Sequence, residues 1–117
     1  MKIENTYKKW ISGADENTVS ALKSMSESEK QDSFYKNIKF GTGGMRGLLG
    51  AGTNRINKYT IVKATKGFAE YIKANGKTAC KNGVVIAYDN RMQSRELSET
   101  TAGVLAYEGI RYICLKI

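Results

Sequence analysis

The sequence has no histidine, no proline and only two cysteines in 117 residues. Without histidine there can be no histidine general base, no Ser-His-Asp or Cys-His arrangement and no histidine-ligated metal within this chain. Without proline there is no proline-rich linker, and neither an internal repeat nor a low-complexity stretch interrupts the chain. Cys80 reads as part of a polar loop and Cys114 as part of an apolar strand. Both are expected to be free thiols, Cys114 acting as a small buried hydrophobe, consistent with a reducing compartment. No apolar run approaches the roughly 18–20 residues that span a membrane. The first residues include Lys2, Glu4, Lys8 and Lys9 and have no apolar signal core. The expectation is a cytoplasmic protein with no membrane partner.

What remains is a chain long enough for one domain with a modest core. It is 41% hydrophobic and 26% charged, ordinary values for a globular protein. The net charge is +8. A nucleic-acid surface would gather that charge into a stripe. Here the lysines are scattered, so no nucleic-acid partner is expected. A solvated surface or a phosphorylated small molecule accounts for the balance equally well.

Residues 1–36 read as a helical arm packed on a core made elsewhere. Tyr7, Trp10 and Ile11 recur at helical spacing, as do Val19, Leu22 and Met25. Asp15 suits the N-cap of the second helix, and Ser26 with Glu29 matches a capping box leading to Phe34 and Tyr35. Residues 37–117 read as an α/β domain. Ile38 and Phe40 alternate with Lys39 like a half-buried strand, and Leu48–Leu49 suggests a short second one. Asn57 is placed to cap a helix whose inner face carries Ile61, Thr65, Phe68, Ala69 and Ile72, with Gly76 as its left-handed end cap. Gly83–Tyr88 is an unbroken apolar run, which implies a strand buried on both faces. Ser94 opens a helix with Leu97, Thr101, Val104 and Leu105 inward, Gly109 ends it, and Tyr112–Leu115 forms another buried strand. Strand, helix and strand make a parallel βαβ unit. The last strand has no covering element, and its open edge implies self-association.

The stretch with chemistry in it is Phe40–Gly47, FGTGGMRG. Glycines let a ligand approach the main chain, exposed N–H groups form nests for anions, and an arginine adds a fork of donors that suits phosphate. Two readings stand here: a phosphate-facing loop, or a glycine-rich turn with Arg46 exposed on it. It is not a dinucleotide fingerprint, because counting from Gly41 or Gly50 puts Arg46 or Arg55 where the last glycine belongs. It is not a P-loop either: Gly76-Lys77-Thr78 has the ending, but Tyr71 occupies the first glycine position. Asp89 and Arg91 follow the central strand at its carboxyl end, where open α/β sheets hold ligands. Asp89 either caps that turn or orients Arg91 or Arg46.

FGTGGMRG, then GAGTNRIN, a lysine-bearing helix and GVVIAYDNR together resemble the first domain of the phosphoglucomutase/phosphomannomutase family. The resemblance covers essentially the whole chain and is closest to bacterial members with extra N-terminal helices. It implies a three-layer α/β/α sandwich with a mixed sheet, of which this chain is an incomplete part. It implies an enzyme that interconverts hexose 1-phosphate and hexose 6-phosphate through a phosphoserine and a bisphosphorylated sugar, with Mg2+ held by a DGDxDR loop of the second domain. Arg46 then matches the arginine that helps hold the phosphosugar, with Thr42, Gly43 and Gly44 around it, and Asp89 and Arg91 match a turn supporting the cleft. The phosphoserine loop, TASHNP in the family, has no counterpart here, and Ser94 does not replace it. The resemblance thus leaves no catalytic residue and no metal ligand in this chain, and an inactive fragment is expected. A stand-alone phosphosugar-binding module is the alternative.

Overall fold

The computed structural model describes residues 2–41 and 44–117. The chain forms two compact units, residues 1–60 and residues 61–117.

The first unit opens with helices α1 (Ile3–Gly13), α2 (Glu16–Lys23) and α3 (Glu27–Phe34). Side-chain caps set the starts of α2 and α3. The Asp15 carboxylate accepts from the Thr18 N–H at 3.3 Å and from its hydroxyl at 2.6 Å. Ser26 Oγ accepts from the Glu29 N–H at 3.1 Å and donates to the Glu29 carboxylate at 3.2 Å. Each satisfies a backbone donor that the first helical turn leaves open. The helices do not lean on a core made elsewhere. They have their own, with Leu22, Phe34 and Ala51 buried and Ile3, Tyr7, Trp10, Ile11 and Met25 packed around them. Tyr7 and Trp10 meet Phe34 edge to face, with ring centroids 5.8 and 5.7 Å away, the geometry that the aromatic quadrupole favours. Three large rings let a polar sequence build a small core.

Strands β1 (Phe40–Gly41) and β2 (Gly44–Met45) then pair antiparallel, Phe40 opposite Met45 and Gly41 opposite Gly44. This corrects two expectations. Phe40 is 75% exposed and is no half-buried anchor; a three-residue alternation carries little weight, and a two-residue ladder buries little. Leu48–Leu49 is not the second strand: Leu49 forms one isolated parallel bridge to Ile56. Helix α4 (Lys58–Ala74) follows, capped by Asn57, whose Oδ1 accepts the N–H groups of Tyr59 and Thr60 at 3.0 Å each.

In the second unit come α5 (Lys77–Asn82), β3 (Val84–Tyr88), α6 (Ser94–Tyr107) and β4 (Tyr112–Lys116). β3 and β4 pair in parallel, from Val84 opposite Tyr112 to Tyr88 opposite Lys116, which makes the βαβ unit. Ala69, Ile72, Leu105 and Ile110 are buried, with Ala79, Cys80, Val84 and Ile86 against them. Alternation along β3 aims Val84 and Ile86 at this core. The other face is bare: Val85 is 64% exposed, and Ile113 and Leu115 are exposed beside it. The apolar run therefore does not mark a strand buried on both faces, and Cys114 lies in a strand exposed along its whole length.

Further corrections concern the helices. Cys80 sits in α5, not in a loop; six residues between Gly76 and Gly83 are too few to show a helical period. Gly76 has φ 98° and ψ 178°, outside the left-handed helical region, and links α4 to α5. Phe68 is 48% exposed, because α4 turns Thr65, Ala69 and Ile72 inward. On α6 the buried residues are Ser98, Ala102 and Leu105. Ser98 is tolerated there because its hydroxyl donates to the Arg95 carbonyl at 2.6 Å. Among the described residues no helix is long and apolar enough to cross a membrane.

Candidate functional site

Of the loop residues singled out in the sequence, Thr42 and Gly43 lie outside the described residues. Gly44 takes φ 91°, and a Cβ added there would meet nothing within 4 Å. A ligand can therefore reach the main chain at that point. Arg46 follows β2 directly and is exposed. Among the described residues it has no carboxylate in ion-pair range, so its guanidinium is available to an anion.

The segment beneath it is closely tied down. The Ile38 N–H donates to the Thr53 carbonyl at 2.8 Å, the Ile56 N–H to Leu48 at 2.8 Å and the Gly50 N–H to Ile56 at 3.1 Å. Asn57 Nδ2 donates to the carbonyls of Gly50 and Gly52 at 2.8 and 3.0 Å, while its Oδ1 caps α4. One side chain thus locks the connection to the helix start. Arg55 is committed to structure: it meets the Asp32 carboxylate at 2.5 Å and donates to the Asn54 carbonyl at 3.0 Å. Gly52 has φ 122°, and a Cβ there would stand 2.6 Å from the Ser33 carbonyl oxygen. A side chain is excluded by conformation and by space together. Sequence reading assigned Asn57 only a cap and gave Arg55 no role. The Asn-Arg-Ile-Asn run was the available signal, but its partners, Asp32 and Ser33, lie some twenty residues earlier.

Arg46 belongs to the first unit; Asp89 and Arg91 belong to the second. There the Asp89 carboxylate accepts the Arg91 N–H at 3.0 Å and its Nε–H at 2.7 Å. Both sequence readings of Asp89 that concern its own turn hold at once: it closes the turn and it orients Arg91. The Arg91 backbone N–H, and then its guanidinium, hold the Asp89 carboxyl below its ordinary range. The Ser94 hydroxyl oxygen accepts the Asp89 N–H at 3.2 Å, so Ser94 serves the turn. Gln93 adopts a left-handed φ of 62° just before α6, a conformation uncommon for a residue with a side chain. Among the described residues no three Asp, Glu or Cys side chains gather as a metal site.

Arg46, exposed and without an ion-pair partner among the described residues, follows strand β2, and an Asp–Arg turn follows the parallel strand β3. A family model described as phosphoglucomutase/phosphomannomutase, alpha/beta/alpha domain I, matches residues 37–117. This chain belongs to the phosphoglucomutase/phosphomannomutase family. Both features fall within the matched stretch, and the α/β class of the fold agrees with that domain.

Relatives of the mutase family align over most of the chain. It is 40% identical over 77 residues to the probable phosphoribomutase of Schizosaccharomyces pombe, covering 66% of this chain and 13% of that protein. It is 35% identical over 103 residues to the phosphoglucomutase of Staphylococcus epidermidis, covering 87% and 18%. It is 37% identical over 98 residues to the phosphoglucomutase of Staphylococcus aureus, covering 83% and 17%. The chain thus spans less than a fifth of the length of these curated relatives. No solved structure matches it.

Proposed function

We propose that the chain supplies the first-domain part of a phosphohexomutase, an enzyme that interconverts hexose 1-phosphate and hexose 6-phosphate by phosphoryl transfer through a phosphoserine and a bisphosphorylated sugar. Residues 1–36 are its N-terminal helices and residues 37–117 its domain I portion. The observation that carries the reading is Arg46: exposed, unpaired among the described residues, and set beside an open glycine backbone at Gly44. Phosphoryl transfer is catalysed by positioning and by stabilising spread charge. Arg46 contributes to both by holding a phosphate of the sugar in a fork of donors, together with main-chain N–H groups of the Thr42–Gly44 stretch. Asp89 fixes Arg91 at the edge of the cleft.

The phosphoserine and the Mg2+ ligands belong to other parts of such an enzyme. The 117-residue chain by itself binds phosphosugar and does not turn it over. It works in the cytoplasm, and its partner is a small phosphosugar.

The test is a titration of the 15N-labelled chain with glucose 1,6-bisphosphate beside an Arg46→Ala control. Shifts centred on residues 42–47, and lost in the control, support the reading. A dispersed spectrum without shifts there removes the role of Arg46 in this chain. Turnover of glucose 1-phosphate by the pure chain would overturn its inactivity.

A further inference from the structure

The two parallel strands have two ends, and Asp89 and Arg91 occupy only the carboxyl one. At the amino end, where Gly83 leads into β3 and Arg111 into β4, lies an open depression of about 600 Å3. Lys73, Lys77, Lys81 and Arg111 line it, with Cys80 and Glu108 between them. The volume is in the range of small-molecule sites.

The placement of these cations follows from the backbone. Lys77 and Lys81 are four residues apart on α5 and share a face. The Arg111 N–H donates to the Cys80 carbonyl at 3.1 Å, which keeps Arg111 beside the last turn of α5. Lys73 comes from the last turn of α4. Glu108, the acid on the lining, is already shared between Lys66 at 3.2 Å and Lys73 at 3.7 Å. Among the described residues, Lys77, Lys81 and Arg111 pair with no carboxylate. Solvated lysines usually spread apart over a surface, whereas Lys77, Lys81 and Arg111 all border one open concavity. Like charges held around a concave wall raise the local concentration of anions.

We propose that this depression is a second anion site, separate from the glycine-rich loop, that takes a small phosphate-bearing anion of two or more negative charges through Lys77, Lys81 and Arg111. It lies at the opposite end of the strands from the Asp89 turn and does not depend on the mutase reading. Its ligand therefore does not meet the Asp89–Arg91 turn.

Inorganic pyrophosphate is the probe, and the full 117-residue chain carrying Cys114→Ser and Arg46→Ala is the material. Cys80 is then the one thiol, and iodoacetamide, being neutral, reports its access without competing for the cations. Pyrophosphate should shift the amide signals of residues 73–81 and 108–111 and slow alkylation of Cys80. Lys77→Ala with Lys81→Ala removes two charge-assisted contacts and should weaken binding roughly tenfold or more. Lys8→Ala with Lys9→Ala removes the same charge from α1 and should leave binding unchanged. Both pairs are exposed, so circular dichroism should match the parent. Equal weakening by the two pairs, shifts spread over all lysines, or unchanged Cys80 alkylation at saturating pyrophosphate would overturn the site.

Discussion

Tyr59 and Asp15 hold each other by two hydrogen bonds. The Tyr59 hydroxyl donates to Asp15 Oδ1 at 2.7 Å, and its oxygen accepts the Asp15 N–H at 2.8 Å. Lys58 adds an ion pair to the same Oδ1 at 3.1 Å. The N-cap of α2 is thereby tied to the first turn of α4, which Asn57 in turn connects to the segment behind the loop.

That relationship predicts a pH dependence. Hydrogen bonds from Thr18, Tyr59 and Lys58 hold the Asp15 carboxyl well below its ordinary value of 3.8. A depressed folded-state value means a contribution that is complete above 3.8 and lost as pH falls through the folded value. Asp15→Asn should therefore be less stable than the parent at neutral pH and show a flatter loss of stability below about pH 4. Urea unfolding at a series of pH values checks it; parallel curves would refute the coupling.

Gly52→Ala should destabilise the chain by roughly 2–3 kcal/mol, the cost of forcing a side chain into a strained backbone against the Ser33 carbonyl. Gly103→Ala in α6 meets nothing within 4 Å and should stabilise by roughly 0.5–1 kcal/mol through helix propensity. Thermal unfolding of both variants should show opposite signs.

Phe34 and Phe68 should separate cleanly. Phe34 is fully buried under two rings, and Phe34→Ala should cost roughly 3–5 kcal/mol. Phe68→Ala, on an exposed flank of α4, should cost less than about 1 kcal/mol. Similar losses would mean that α4 buries Phe68 in solution.

Arg46→Lys keeps the charge and loses the fork of donors. If Arg46 grips phosphate through two of its nitrogens, this variant should bind glucose 1,6-bisphosphate several-fold more weakly than the parent while its unfolding midpoint stays put. Calorimetric titration beside a melting curve distinguishes this from loss of charge alone, which Arg46→Ala reports.

The bare face of Val85, Ile113 and Leu115 predicts concentration-dependent association of the isolated chain. Analytical ultracentrifugation should detect it, and Leu115→Lys should reduce it. A monomer at all concentrations would count against association through this surface.

Local signals proved legible. The starts of α2, α3 and α4 were readable at Asp15, Ser26 and Asn57, because a cap involves residues two or three positions apart. The βαβ unit and the family motif were readable from the pattern of each element along the chain. Burial was not. The apolar residues of β3 and β4 could not say which face would be covered, and Phe68 and Ala69 could not say which of them would turn inward.

Sequence by itself therefore determined the starts of α2, α3 and α4, the α/β class and the family, and it put forward Gly44, Arg46, Asp89 and Arg91 as candidates from short local patterns. Tertiary structure decided that the N-terminal helices have their own core on Phe34, that Gly52 lies against Ser33, and that Arg55 is spent on Asp32 while Arg46 is free of such a partner among the described residues. It also gathered Lys77, Lys81 and Arg111 around one depression. These depend on contacts between residues far apart in the chain, which close only when the backbone folds and which no local pattern encodes.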